Sequence, residues 1–381
     1  MIKRKAIYGV ILSLVVLLAG SCSKEVATVN NNGETSLSFV LPTSRGLGDD
    51  PEFVMDELRV IVFKSSSNGT ETSAPPVFNK LYTPDAELYQ ISEIVPVGYL
   101  NIYLIANETA NLGNLDIITS SSDLRTKLLD YTSGNNELPF IPAPTPSPII
   151  PAILMYSEYR GANINVNGAL THPRAKIVSG ETVLEIERTI AKITVNVVCD
   201  FSNMPDNTAI TLTNARIVSM PLQPALLAGQ PYTGSTGSDY FNSSLLNLTS
   251  YIVPTTSPLG LETSEGFIFY MPEHIPGTSN RNYYTYLELT GETVGTIPVL
   301  NLTYKVPLGD GLGTTSGATT YTVDYLLENY STIPASVLTV SRNTHYELGL
   351  DIKGLGMRDA LEVIVTAKPW NPTININKDF E

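Results

Sequence analysis

Two cysteines, three histidines and one tryptophan stand in a chain of 381 residues, and charged side chains make up only 16% of it. So few cysteines and histidines leave little material for a metal centre built on those ligands. The sequence carries no HExxH, no GxSxG and no CxxC, and no phosphate-cradling Gly-rich loop before a helix. Basic side chains are scarce too, 23 against 37 acidic, for a formal net charge of −14. Phosphate would be repelled, so a broad nucleic-acid-binding surface is excluded. Hydrophobic residues reach 43%, which excludes a largely disordered chain. What the chain has in quantity is 20 Tyr, 27 Gly and 26 Pro, a composition of strands and turns. The length suits two domains of ordinary size.

The first segment reads as an address. Lys3, Arg4 and Lys5 precede an apolar stretch from Ala6 to Leu18, then Ala19-Gly20-Ser21-Cys22. That stretch is short for a transmembrane helix and is flanked like a secretory signal. Small residues before Cys22 resemble a bacterial lipobox, which predicts a signal peptide over 1–21 and lipid, palmitate included, on Cys22. Ala19 stands where that motif more often has Leu; an ordinary signal peptide or an uncleaved anchor are the alternatives. Loss of Lys3, Arg4 and Lys5 takes the formal charge from −14 to −17. With Cys22 lipidated, Cys199 has no intrachain disulfide partner. It ends a period-2 run with Ala191, Ile193, Val195 and Val197, which reads as a buried structural thiol.

Downstream of a polar tether, SLSFVL places Leu37, Phe39 and Leu41 on one face and Ser36 and Ser38 on the other, a half-buried strand. TSRGLGDDPE follows as an exposed loop. Strand patterns recur at 57–63, 95–107, 183–198, 209–218, 266–274, 283–291, 299–309, 345–354 and 361–367, with 229–250 read as loop. This spacing predicts β-sandwiches. One short helix is expected over 121–131, capped by Ser122, with Leu124, Leu128 and Leu129 on one face. The Pro-rich stretch ELPFIPAPTPSPIIP reads as a covering loop. The tail WNPTININKDFE alternates Ile374, Ile376 and Phe380 with Asn375, Asn377 and Asp379, an unpartnered strand. The strand pattern restarts after Gly180, which places a domain boundary near that residue.

His172 and His274 fall in turns and His345 opens a strand, with no shared carboxylate pattern, so no catalytic residue and no metal or cofactor is assigned. Asp49-Asp50 and Asp310-Gly311 lack calcium-loop spacing and read as solvated turns.

The ordered strings TSRGLGDDPEFVMDELRVIVF (43–63), VPVGYLNIYLIAN (95–107), LEIERTIAKITV (184–195), FIFYMPE (267–273), RNTHYELGLDIKGLG (342–356) and VIVTAKPW (363–370) together resemble the fimbrillin family, the type V pilins of Bacteroidales. The resemblance implies an all-β chain of two tandem transthyretin-like β-sandwich domains, here 46–180 and 181–381, after a signal peptide (1–21) and a tether with a removable first strand (22–45). It implies an outer-membrane lipoprotein precursor, cleavage at Arg45-Gly46 by an Arg-specific protease, and departure of the strand bearing Leu37, Phe39 and Leu41. A C-terminal strand of the next subunit, with Ile374, Ile376 and Phe380 or alternatively Val363 and Val365, then fills the groove. Partners are copies of the chain or related fimbrial subunits, the protease, the outer membrane, and a host or bacterial surface receptor. The role implied is a stalk subunit of extracellular fimbriae, not an enzyme; a tip protein is expected to carry an extra domain.

Arg45-Gly46 lies in a Gly- and Asp-containing loop of the kind proteases nick. A lipidated anchor subunit and a monomeric glycan-binding surface lipoprotein stay open. The second rests on Tyr283, Tyr284, Tyr286 and Trp370 as sugar-stacking rings, with Trp370 also readable as a strand-end plug.

Overall fold

A computed structural model describes residues 33–41, 55–83, 89–109, 112–131, 153–178, 181–199, 209–243, 245–252, 267–277, 281–295, 298–317, 319–353 and 361–370. Among them the first half forms β1 (Glu34–Leu41), β2 (Leu58–Lys64), β3 (Phe78–Tyr82), β4 (Tyr89–Pro96), β5 (Gly98–Ala106), α1 (Ser121–Arg125), β6 (Met155–Ile164), β7 (Leu170–Thr171), β8 (Lys176–Val178), β9 (Glu181–Val183) and β10 (Glu187–Arg188). The second half forms β11 (Ile190–Cys199), β12 (Ala209–Val218), β13 (Met220–Pro221), β14 (Tyr240–Phe241), β15 (Leu246–Ile252), β16 (Phe267–Pro272), β17 (Tyr286–Val294), β18 (Asn301–Pro307), β19 (Thr315–Ser316), β20 (Thr319–Thr320), α2 (Val323–Asn329), β21 (Thr344–Ile352) and β22 (Leu361–Pro369).

Two sheets face each other in each half. The first pair runs β4-β1-β9-β8 and β10-β6-β5-β2-β3, with β7 on β6. The second runs β16-β11-β21-β22 and β15-β12-β17-β18. Alternation builds these faces. On β18, Leu302, Tyr304 and Val306 are buried while Asn301, Thr303 and Lys305 are exposed. On β12 the phase slips: Ile210 and Leu212 point inward, then Ala215 and Ile217. A bulge between Leu212 and Asn214 absorbs the extra residue. Gly291 lies opposite, where a Cβ would meet the Thr211 carbonyl at 2.6 Å.

The stretch 95–107, read as one strand, is the end of β4, a corner between two sheets, and β5. The chain turns between Pro96 and Gly98, whose φ of +121 a side chain would resist. Strand β5 is then buried on both faces. Ile102 and Leu104 fill the first sandwich, while Tyr103 and Ile105 join a third apolar cluster with Leu226, Leu227, Tyr270 and Trp370 of the second half. That cluster welds the halves together. Backbone bonds from Leu129 N to Pro224 O (2.9 Å) and from Leu226 N to Lys127 O (3.0 Å) cross the same seam.

Several expectations change. There are two α-helices among the described residues rather than one; α2 was hidden in a Tyr- and Thr-rich stretch. Helix α1 is capped by Ser120, whose hydroxyl accepts from Asp123 N at 3.1 Å, not by Ser122. It ends at Arg125, and the Thr126 hydroxyl bonds back to the carbonyls of Ser122 and Asp123. Leu128 therefore leaves the apolar face and is exposed, while Leu124 and Leu129 are buried. The stretch 229–250 is not all loop, since β14 and most of β15 lie in it. Strand pairing also carries the first set of sheets past Gly180. Val183 pairs with Val40, and Glu187-Arg188 pair with β6, so the sheets divide at Thr189.

Candidate assembly interface

Strand β1 is an interior strand. Its antiparallel ladder with β4 runs from Glu34 opposite Pro96 to Leu41 opposite Tyr89. Among the described residues, its other edge meets β9 in parallel at one pair, Val40 and Val183. One side is zipped along its full length and the other is barely closed. Inward, Leu37 and Phe39 are fully buried among Leu58, Val60, Ile102, Leu104 and Ile186. Burial of each is worth roughly 1.5–3 kcal/mol. Thr35 is buried on the same face and donates to Val166 O at 3.3 Å. Extending the alternation two residues towards the N-terminus would have identified it. Outward, Ser36 meets Ser92 at 3.1 Å and Ser38 is exposed. Few side-chain polar contacts hold β1; apolar burial and the β4 ladder do.

The β4 wall has its own support. Glu93 takes hydrogen bonds from Lys80 Nζ (2.6 Å) and Tyr82 OH (2.7 Å) on β3, so one carboxylate ties the edges of two sheets. Burial works against ionisation of Glu93, but the bonds from Lys80 and Tyr82 and the Lys80 charge outweigh it and lower its pKa. Burial, then the Glu93 bond, raises the Tyr82 phenol. With β1 gone, β4 would still be held by this tie and by its corner into β5.

At the far end of the chain, β22 is an edge strand paired antiparallel with β21. Val363 and Val365 pack on the second core and are thus occupied within the subunit. Trp370 is buried at the strand end. Its ring stacks on Tyr270 at 5.7 Å, and its backbone N–H donates to Asn343 O at 2.8 Å. Cys22, Arg45, Gly46, Ile374, Ile376 and Phe380, the side chain of Leu41, and that of Cys199 lie outside the described residues.

The rings considered for sugar stacking are spoken for. Tyr283 stacks on Tyr240 at 4.9 Å, Tyr284 leans on Tyr286 and Tyr330, and Trp370 is inside. A cleft of about 580 Å³ opens at the seam between Arg125, Gln223, Gln230 and Tyr232. Its carboxylates are already engaged, Asp239 by the amides of Ser235 and Thr236 and Glu273 by Arg342.

The histidines do different work. His274 is fully buried, its Nδ1 at 2.7 Å from Thr285 Oγ1, and burial pushes its pKa down to about 3. His345 meets Thr194 Oγ1 at 2.9 Å, and His172 Nδ1 accepts from Arg174 N. Among the described residues, no cluster of three or more His, Cys, Asp or Glu is placed to hold a metal ion. Asp310 binds the hydroxyls of Ser341 and Tyr346, a structural use of a residue read as a solvated turn.

No family model and no curated protein matches the sequence. Solved structures do match in shape. The tip fimbrial protein Mfa3 of Porphyromonas gingivalis, in a C-terminally truncated form, is 18% identical with a TM-score of 0.52, over 88% of this chain and 100% of that one. A cell-adhesion candidate from Parabacteroides distasonis is 14% identical with a TM-score of 0.57, over 89% and 98%. The fimbrilin FimA of P. gingivalis is 15% identical with a TM-score of 0.50, over 88% and 97%. The chain has the all-β fold of the fimbrillin-like proteins.

Proposed function

We propose that the chain is a structural subunit of cell-surface fimbriae, without enzymatic activity, that joins copies of itself or related subunits by exchanging β1 for a strand of its neighbour. The observation that carries this is the hold on β1: a full ladder on one side, one bridge on the other, and two fully buried apolar side chains beneath. Removal of such a strand leaves unpaired backbone and empty pockets in mid-sheet, a strong acceptor for an extended peptide. The fold shared with FimA and Mfa3 supports the same reading. The contact is head-to-tail and does not close, so it builds a filament.

In the full proposal, Cys22 carries the lipid that holds the precursor at the outer membrane. An Arg-specific protease cuts at Arg45-Gly46, and Ile374, Ile376 and Phe380 of the next subunit enter the groove. Val363 and Val365 are the weaker donor set because they already pack on their own core. A stalk role needs both groove and tail; an anchor keeps its lipid uncut. Length does not argue against a tip role, since this chain spans the whole of the truncated tip protein. The glycan-binding reading loses support because its aromatic rings stack on one another or are buried.

The test is limited digestion of Ser23–Glu381 with an Arg-specific protease, read by intact mass and by gel under denaturing conditions. A first cut after Arg45 followed by a denaturant-resistant ladder is expected. Resistance of Arg45 while other sites are nicked would overturn the maturation step.

A further inference from the structure

Strand β22 has a weak end. From Thr366 to Pro369 every residue is exposed, and the next residue, Trp370, is buried. Lys368 reaches Glu347 at 2.6 Å, but that pair lies in solvent and contributes little. An edge strand held in this way would unzip from its C-terminal end, one hydrogen bond at a time.

Trp370 interrupts that path, and the residue that holds it comes from the other half of the molecule. Arg188 lies on β10, which pairs with β6 of the first sandwich. Its side chain is fully buried, its guanidinium sits 4.5 Å from the Trp370 ring centroid, and it donates to the Trp370 carbonyl. Tyr270 covers the other aromatic contact and Asn343 O takes the Trp370 backbone N–H. Asn343 N in turn donates to Ile190 O at 2.9 Å, so the knot closes back on the chain beside Arg188. Desolvation strengthens a cation–π contact, and a buried guanidinium is costly unless its partners are in place.

We infer that the Arg188–Trp370 contact is an anchor that fixes the root of the C-terminal tail at the seam of the two sandwiches. Arg188 is a positioning residue. The eleven residues after Trp370 leave from one fixed point, and tension on them enters both sheet systems instead of peeling β22. The local anchoring stands on the contacts themselves; its role in a filament rests on the proposed tail exchange with a second copy of the chain.

The experiment is residue-resolved amide exchange on full-length monomer, comparing wild type with Arg188→Met, Arg188→Lys and Trp370→Phe. Methionine fills the buried space without the charge, so the variant should fold. In Arg188→Met, amides of residues 366–368 and 370 are expected to exchange roughly tenfold faster, with β11 and β12 unchanged. Trp370→Phe keeps an aromatic face and should fall between. Equal protection at 366–368 and 370 in wild type and Arg188→Met would overturn the anchor. So would an equal loss of protection throughout the molecule, which marks general destabilisation. A second measurement separates the two ideas. If wild-type monomers form ladders and Arg188→Met ladders shed subunits at lower denaturant, the anchor acts in the filament. If Arg188→Met ladders resist as wild type does, the anchor's role in the filament is overturned. If wild type forms no ladder after cleavage, the exchange reading fails while the monomer result still decides the anchor.

Discussion

His274 shows what burial does to one side chain. It is neutral because a charge there would have no water, and its pKa falls to about 3. The unfolded chain binds its proton near pH 6.5, so stability is full above that pH and declines as pH falls towards the folded value. Denaturant unfolding between pH 7 and pH 5 should show a loss of up to about 2 kcal/mol from this residue. His274→Gln should flatten that slope. At the first strand, Phe39→Ala in the uncut protein should cost roughly 3–5 kcal/mol by chemical denaturation. The same substitution should speed departure of β1 after cleavage, since the lost contact is what retains it.

The strand pair β1–β4 sets the behaviour of the element. If β1 leaves as proposed, β4 keeps the Glu93 tie to β3 and its corner into β5. Glu93→Gln should leave the uncut fold intact and raise amide exchange across β4 in the cut protein. The depressed pKa of Glu93 gives this tie a sign. It is fully present above the unfolded carboxyl pKa and is lost as pH falls through the folded one. Acid should therefore loosen the groove wall in wild type but not in Glu93→Gln, as protection factors compared at pH 7 and below the folded Glu93 pKa would show. Alternation announced β1, β11 and β18, because each has one face in a core and one in water. At β5 it found the strand but not its burial on both faces, and the helical pattern overran α1, whose end depends on a Thr126 hydroxyl turning back on the helix.

The whole molecule is two sandwiches that share an apolar seam. On the second half's side of it Arg342 fixes the 225–227 segment, donating to the carbonyls of Ala225, Leu226 and Leu227 while paired with Glu273. A seam of this kind makes unfolding cooperative across both halves. Leu226→Asp would bury an unpaired carboxylate there. Calorimetry should then resolve two transitions, against the single one expected of wild type. Persistence of a single transition would mean the halves are coupled elsewhere.

Composition and period-2 patterning by themselves determined an all-β chain, its longest strands, and the inward face of β1 with Leu37 and Phe39. These are local properties, since a residue's side of a strand follows from its neighbours two places away. Only the tertiary structure decided that β1 sits inside a sheet, that Val183 and Arg188 belong to the first set of sheets, and that Trp370 is clamped by a residue 182 positions earlier. Such pairings join segments far apart in sequence. They are set by which edges and faces remain unfilled once the sheets assemble, and no local pattern carries that information.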